Sequence, residues 1–272
     1  MKFISFGSGS SGNCYFIGDE NYGILIDAGL SSRKTKKYLK EVGYDLSQIF
    51  GIFITHDHFD HIKSVGTLGE VHNIPVYSTE DILKGINKCY KITEKLYQSK
   101  RPIKIGEETV IKDFKITPFE VEHDSSQCVG YFIEFKGEKI TIATDLGGIN
   151  DVAKQYICAA DHVVIEANYD EQMLINGRYH YSLKQRILGG CGHLANHVTM
   201  NFLAENFQPN WKNIFFCHLS QNNNTPDTVM CAAKTALQGK NINLAPLPRT
   251  KIFEVKLGVR NSCASESRVK LV

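Results

Sequence analysis

The chain has 272 residues and a formal net charge of +2, too small a surplus to hold a nucleic acid across the whole molecule, so any such partner must meet a local patch. Hydrophobic residues make up 42% and charged residues 22%, which excludes a disordered chain and provides for a sizeable core. The N-terminal apolar run is broken at Ser5 and Gly7, no stretch reaches membrane-span length, and the eight cysteines contain no Cys-x-x-Cys pair; together these predict a cytoplasmic protein with reduced thiols and no membrane partner.

In chain order, apolar and β-branched runs predict strands at Lys2 to Phe6, Cys14 to Ile17, Gly23 to Ile26, Ile49 to Ile54, Val76 to Ser78, Phe114 to Val121, Val129 to Phe135, Lys139 to Ala143, His162 to Ile165, Ile214 to Cys217, Asn241 to Leu244 and Lys251 to Val255. Helical patterns interleave at Ser32 to Val42, His61 to His72, Thr79 to Lys88, Ile149 to Cys158, Leu183 to Leu188, Ala195 to Phe207 and Pro226 to Gln238. Thr225 caps the last of these, and Pro226 occupies its first turn. Strands that begin as a meander and then alternate with helices predict an α/β (α+β) chain of two mixed sheets packed face to face with helices outside. Residues 1–257 are expected to form a single domain, followed by a polar, mobile tail at 258–272.

The chemistry-bearing segment is Thr55-His56-Asp57-His58-Phe59-Asp60-His61, directly after the apolar Ile52-Phe53-Ile54. Four ligand-type side chains within six residues exceed what a solvated loop requires. In a tight loop, His56 and His58 can share one ion while Asp60 and His61 turn toward a second. Partners are then expected at later strand ends, where His123, Asp145 and His218 stand.

These residues resemble the five motifs of the metallo-β-lactamase superfamily along almost the whole chain. The resemblance implies a four-layer αβ/βα sandwich, with one metal site of His56, His58 and His123 and another of Asp60, His61 and His218. It also implies that Asp145 bridges the two and that Asp27, in Ile-Asp-Ala-Gly, supports the ligands from behind. A bridging carboxylate, where dinuclear β-lactamases have cysteine, argues against antibiotic hydrolysis.

Further segments narrow the likeness: Phe6 to Tyr15 with its Gly/Ser-rich turn, Glu166-Ala-Asn168-Tyr-Asp170, Leu183 to Asn196, and His218-Leu-Ser-Gln-Asn-Asn. Together they are similar to the YycJ (WalJ) family, associated with 5′ to 3′ exonuclease activity on DNA. Ala195, Tyr169 and Leu146 depart from its pattern, where Ser, His and Thr are usual. The stretch between Asp145 and His218 is too short for the large inserted domain of ribonuclease-J-like enzymes.

The implied reaction is phosphodiester hydrolysis by a metal-bridging hydroxide, with two divalent ions of zinc, manganese or iron and no organic cofactor. A thioester or lactone hydrolase of the same fold is the alternative. Asp60 is assigned to the catalytic group together with His193 and Glu166. His193 either binds phosphate and protonates a leaving group or is an ordinary helix-start histidine. Glu166 either orients His193 or satisfies backbone donors. Asn168, Arg186 and Asn196 are candidate substrate contacts, Arg186 being equally readable as a helix-surface residue. Ser8 to Asn13 either approaches a ligand or only turns the chain, and Arg33, Lys36, Lys37 and Lys40 face DNA or, preferably, solvent.

Overall fold

In the computed structural model, which describes residues 1–189 and 192–258, the strands are β1 (Lys2–Gly7), β2 (Cys14–Gly18), β3 (Gly23–Ile26), β4 (Ile49–Phe53), β5 (Val76–Ser78), β6 (Lys100–Pro102), β7 (Thr109–Ile111), β8 (Phe114–Glu120), β9 (Val129–Phe135), β10 (Glu138–Ala143), β11 (His162–Glu166), β12 (Asn213–Cys217), β13 (Asn243–Pro246) and β14 (Phe253–Lys256). The helices are α1 (Ser32–Glu41), α2 (Phe59–Ile62), α3 (Glu80–Lys88), α4 (Asp151–Ala159), α5 (Glu171–Asn176), α6 (Tyr181–Leu188), α7 (Asn196–Glu205) and α8 (Pro226–Ala236). Apart from Gly258, the expected tail at 258–272 lies outside the described residues.

Two seven-stranded sheets result, ordered β14-β1-β2-β3-β4-β5-β6 and β13-β12-β11-β10-β9-β8-β7. Each is antiparallel on one side and parallel on the other: β3 to β6 run parallel in the first sheet and β10 to β13 in the second. The central parallel strands are apolar and wholly buried, as in Asn213–Cys217, because both of their faces are covered. Across the sandwich, Phe3 on β1 stacks on Phe215 of β12 at 5.1 Å, and Phe53 on β4 meets Tyr131 of β9 edge-on at 5.5 Å. A second core joins the other face of the second sheet to its helices through Trp211, Phe216, Met200, Leu203 and Val229. The expected two-sheet architecture is therefore present.

Local signals act as expected at several helix starts. Thr79 accepts the Ile82 N–H, Asn150 the Ala153 N–H and Thr225 the Thr228 N–H. The helix expected from His61 to His72 is different: α2 ends at Ile62, and a wide helical turn occupies Thr67–Val71. The break falls at Lys63 and Ser64, where the Ser64 N–H and hydroxyl both donate to the Ala28 carbonyl, at 2.9 and 3.2 Å, and helical backbone resumes at Val65 and Gly66. Strands β6 and β7 and helix α5 are additions to the expected elements. β6 reads Lys-Arg-Pro and is fully exposed, an edge strand whose charges and proline leave no apolar pattern.

Candidate metal and active site

The sandwich delivers the polar site residues just past strand ends, where side chains from several strands converge. Asp27 follows β3, His56 follows β4, His123 follows β8, Asp145 follows β10 and His218 follows β12. Asp27, Asp145 and His218 all have positive φ, at 61°, 54° and 54°. Non-glycine residues rarely adopt this left-handed conformation, and it concentrates where surrounding structure fixes a functional geometry.

One cluster consists of His56, His58 and His123. His58 Nε2 donates to the Asp124 carbonyl at 3.2 Å, and His123 Nδ1 to the Gly192 carbonyl at 2.7 Å. Each imidazole therefore turns its lone pair inward, and His58 Nδ1 and His123 Nε2 face one another at 3.3 Å. Thr55 Oγ1 donates to Asp27 and accepts from His56 Nδ1 at 3.0 Å, which leaves His56 Nε2 buried without a partner. Inward lone pairs with no donor between them are unfavourable in a buried site unless a cation satisfies them.

The neighbouring cluster consists of Asp60, His61 and His218. His61 Nδ1 is fixed by Asp27 Oδ2 at 2.7 Å, and His218 Nδ1 by Glu166 Oε1 at 2.9 Å. His218 Nε2 is buried without a hydrogen-bond partner and lies 3.8 Å from Asp60 Oδ2. Asp145 stands between the clusters, with Oδ2 3.2 Å from His61 Nε2 and Oδ1 3.9 Å from His123 Nε2. The Gly/Ser-rich turn braces this side: Ser8 Oγ accepts the His218 N–H at 2.9 Å, and Asn13 Nδ2 lies 2.8 Å from His61 Nε2.

The electrostatics differ between the clusters. Burial, reinforced by His61, holds His56 well below the ordinary imidazole range and keeps it neutral. Burial also pulls on His61 and His218, but Asp145 and Asp27 lift His61 well above its ordinary value. Asp145, Asp60 and Glu166 raise His218 to about 10. Burial would push Asp145 up, yet His218 and His61 hold its carboxyl well below the usual range. A buried His56 kept neutral in one cluster, and protons held against carboxylates in the other, suit an all N/O divalent-cation centre in which metal displaces protons.

A cleft of roughly 310 Å³ opens over both clusters, walled by His193, Asn168, Tyr179, Leu183, Arg186 and Ile187. His193 precedes α7, and its Nδ1 lies 2.8 Å from Glu166 Oε1. Glu166 fills both roles open in the sequence, because its Oε2 also accepts the Leu146 and Leu194 N–H groups. Arg186 reaches the cleft and pairs with Asp124. Asn168 donates to the His218 carbonyl at 2.7 Å. Asn196 departs from its expected position at the substrate: it is buried and exchanges amide hydrogen bonds with Asn224. Arg33, Lys36, Lys37 and Lys40 are exposed, and none lines this cleft. Asp124 and Tyr179 join the site without a sequence signal, being single polar residues outside any ligand pattern, whereas Asn13 and Thr55 come from the Gly/Ser-rich turn and the ligand segment.

The sequence profile of the beta-lactamase superfamily domain matches residues 22–205. The chain belongs to the metallo-β-lactamase superfamily. It is a hydrolase with a divalent-metal site. Exodeoxyribonuclease YycJ of Bacillus anthracis is 30% identical over 249 residues, covering 90% of this chain and 92% of that protein. Exodeoxyribonuclease WalJ of Streptococcus pneumoniae serotype 2 is 31% identical over 224 residues, covering 82% and 83%. The metallo-beta-lactamase fold protein YhfI of Bacillus subtilis superposes with a TM-score of 0.67 at 18% identity, over 93% of this chain and 98% of its own. Human tRNase Z, short form, gives 0.64 at 15% identity, over 95% and 100%. These last two carry the fold alone. No helix among the described residues is long and apolar enough to cross a membrane.

Proposed function

We propose that the chain is a two-metal phosphodiesterase acting as a 5′ to 3′ DNA exonuclease. The observation that carries the reading is Asp145, whose two carboxylate oxygens face His61 on one side and His123 on the other. His56, His58 and His123 would hold one ion, Asp60, His61 and His218 the second, and Asp145 both. Imidazole and carboxylate ligands without thiolate suit zinc, manganese or iron. Bound there, such ions polarise a phosphoryl oxygen and make water acidic enough to act as a nucleophile near neutral pH. The exodeoxyribonuclease names of the two relatives support DNA as the substrate, and the 5′ to 3′ polarity follows the family resemblance.

The chain's own residues supply the remaining steps. Glu166 holds His193 by Nδ1, leaving Nε2 to donate a proton to the departing oxygen. Burial opposes the charge on His193, but Glu166 prevails and raises its pKa, so the acid form is favoured. Arg186, at the cleft wall, is suited to a non-bridging phosphate oxygen in exchange for its Asp124 partner. Asn168 fixes the His218 main chain. Asp27 and Thr55 hold His61 and His56 at the nitrogens turned away from the ions.

A second reading, a thioester or lactone hydrolase, draws on Leu183 and Ile187, which give the cleft an apolar wall. A substrate panel separates the two: duplex DNA, RNA, a chromogenic thioester and a lactone, each with wild type and Asp145→Asn under manganese or zinc. DNA turnover that the variant loses supports the exonuclease. Brisk ester turnover without DNA cleavage would replace it with the metabolite hydrolase.

A further inference from the structure

Two further grooves leave the metal clusters, one from His123 and one from His58, meeting at Ser126, and their charges differ. One begins at His123 and is walled by Glu120, Glu122 and Asp124. The other begins at His58, which lines both it and the cleft, and runs along α3 past Lys84 and Lys88. Phe59, between His58 and Asp60 in the chain, turns its ring beneath two cations: Lys91 Nζ lies 4.9 Å and Lys63 Nζ 5.9 Å from its centroid. Beyond α3 the basic character continues. Residues 84–104 carry seven Lys and Arg against Glu94 alone, in a chain whose whole surplus is +2. Tyr90 and Tyr97 in this stretch are 85% and 70% exposed.

We infer that this α3 segment is the track along which a single nucleic-acid strand runs to or from the metal clusters, entering over His58 and Phe59. This rests on the nuclease reading above and gives it a direction across the surface. A phosphate backbone is drawn to clustered lysines and repelled by a carboxylate-lined groove, so the His123 side is closed to it electrostatically. Exposed tyrosines among lysines offer stacking faces to any base, which suits binding without sequence preference. The lysines also act where the local charge is otherwise balanced, because Asp57 and Asp81 line the same groove and Lys84 pairs with Asp81 at 3.4 Å. Lys88 and Lys91, on the outer turn beyond that pair, are therefore the residues on which strand affinity should turn.

The test is the affinity of a fluorescein-labelled 15-nucleotide single strand for protein carrying Asp145→Asn, which spares the strand, measured over a series of salt concentrations. Adding Lys88→Glu and Lys91→Glu should raise Kd about ten-fold or more. It should also flatten the log Kd against log salt slope by about 0.7 for each phosphate that is no longer neutralised. Adding Glu120→Lys and Glu122→Lys instead should leave Kd unchanged or lower it, since it removes repulsion rather than attraction. A melting curve checks the fold of each variant, and Lys88→Gln with Lys91→Gln, expected to weaken binding in the same direction, replaces the reversal if that does not fold. A Kd unmoved by both lysine variants, in a protein whose wild type cleaves DNA, overturns the track and leaves the nuclease reading standing. A wild type that neither binds nor cleaves DNA overturns both.

Discussion

His193 Nδ1 stands 2.8 Å from Glu166 Oε1, and the same oxygen lies 2.9 Å from His218 Nδ1. One buried carboxylate thus ties the proposed proton donor to a proposed metal ligand. Replacing His193 by alanine should lower kcat about 10²- to 10⁴-fold, the usual yield of a positioned acid, while metal content by atomic emission stays at the wild-type level. Loss of metal together with rate would make His193 a structural support of the second cluster instead.

Asp27 fixes His61 from behind at 2.7 Å while Thr55 bridges it to His56. Asp27→Asn keeps the size but weakens the acceptor, so metal affinity should fall about 10- to 100-fold. Competition titration with a chelating dye reads this directly, and an unchanged affinity would remove Asp27 from the metal account.

Gly29 carries no side chain because the metal-binding loop crosses it: a Cβ there would stand 1.6 Å from the Asp60 carbonyl oxygen. Gly29→Ala should therefore destabilise the fold by about 1–3 kcal/mol or more and disturb Asp60 and His61 together. Thermal melting and metal content should fall in parallel. A stable variant with full metal content would show that the loop can yield.

Glu70 ties down the outer arm of the basic segment, accepting the Tyr97 and Ser99 N–H groups and the Ser99 hydroxyl. Burial would raise its pKa, but these bonds and the Gln98 N–H outweigh burial and lower it from 4.5 to about 2. A carboxyl depressed on folding adds stability above its unfolded pKa and loses it as pH falls through the folded one. The Tm difference between wild type and Glu70→Gln should accordingly be largest near neutral pH and shrink between about pH 4.5 and 2. A difference independent of pH would point to packing alone.

What can be read from sequence divides along physical lines. His56 to His61 stand out because four ligand-type side chains, His56, His58, Asp60 and His61, lie within a short loop, and the strand segment Ile52-Phe53-Ile54 before them is apolar and buried. The structure brings His123, Asp145 and His218 to that loop, as their positions after apolar runs predict. Asp124 carries no such signal because its role depends on a contact across the fold, to Arg186. The helix expected through His72 breaks at Lys63 and Ser64, where the Ser64 N–H and hydroxyl donate to the Ala28 carbonyl, far away in the chain, which no local periodicity encodes. Asn196 illustrates the converse: beside the His193 motif it reads as a substrate contact, but its amide closes a buried pair with Asn224.

The most direct measurement of the central claim is the first labelled product released from duplex DNA carrying a 5′-terminal label, with manganese or zinc supplied and Asp145→Asn in parallel. Labelled mononucleotide is expected from the earliest time points, and none from the variant. A label that stays on progressively shorter strands, or internal fragments from the outset, would contradict the 5′ to 3′ exonuclease; turnover that survives Asp145→Asn would contradict the bridging carboxylate itself.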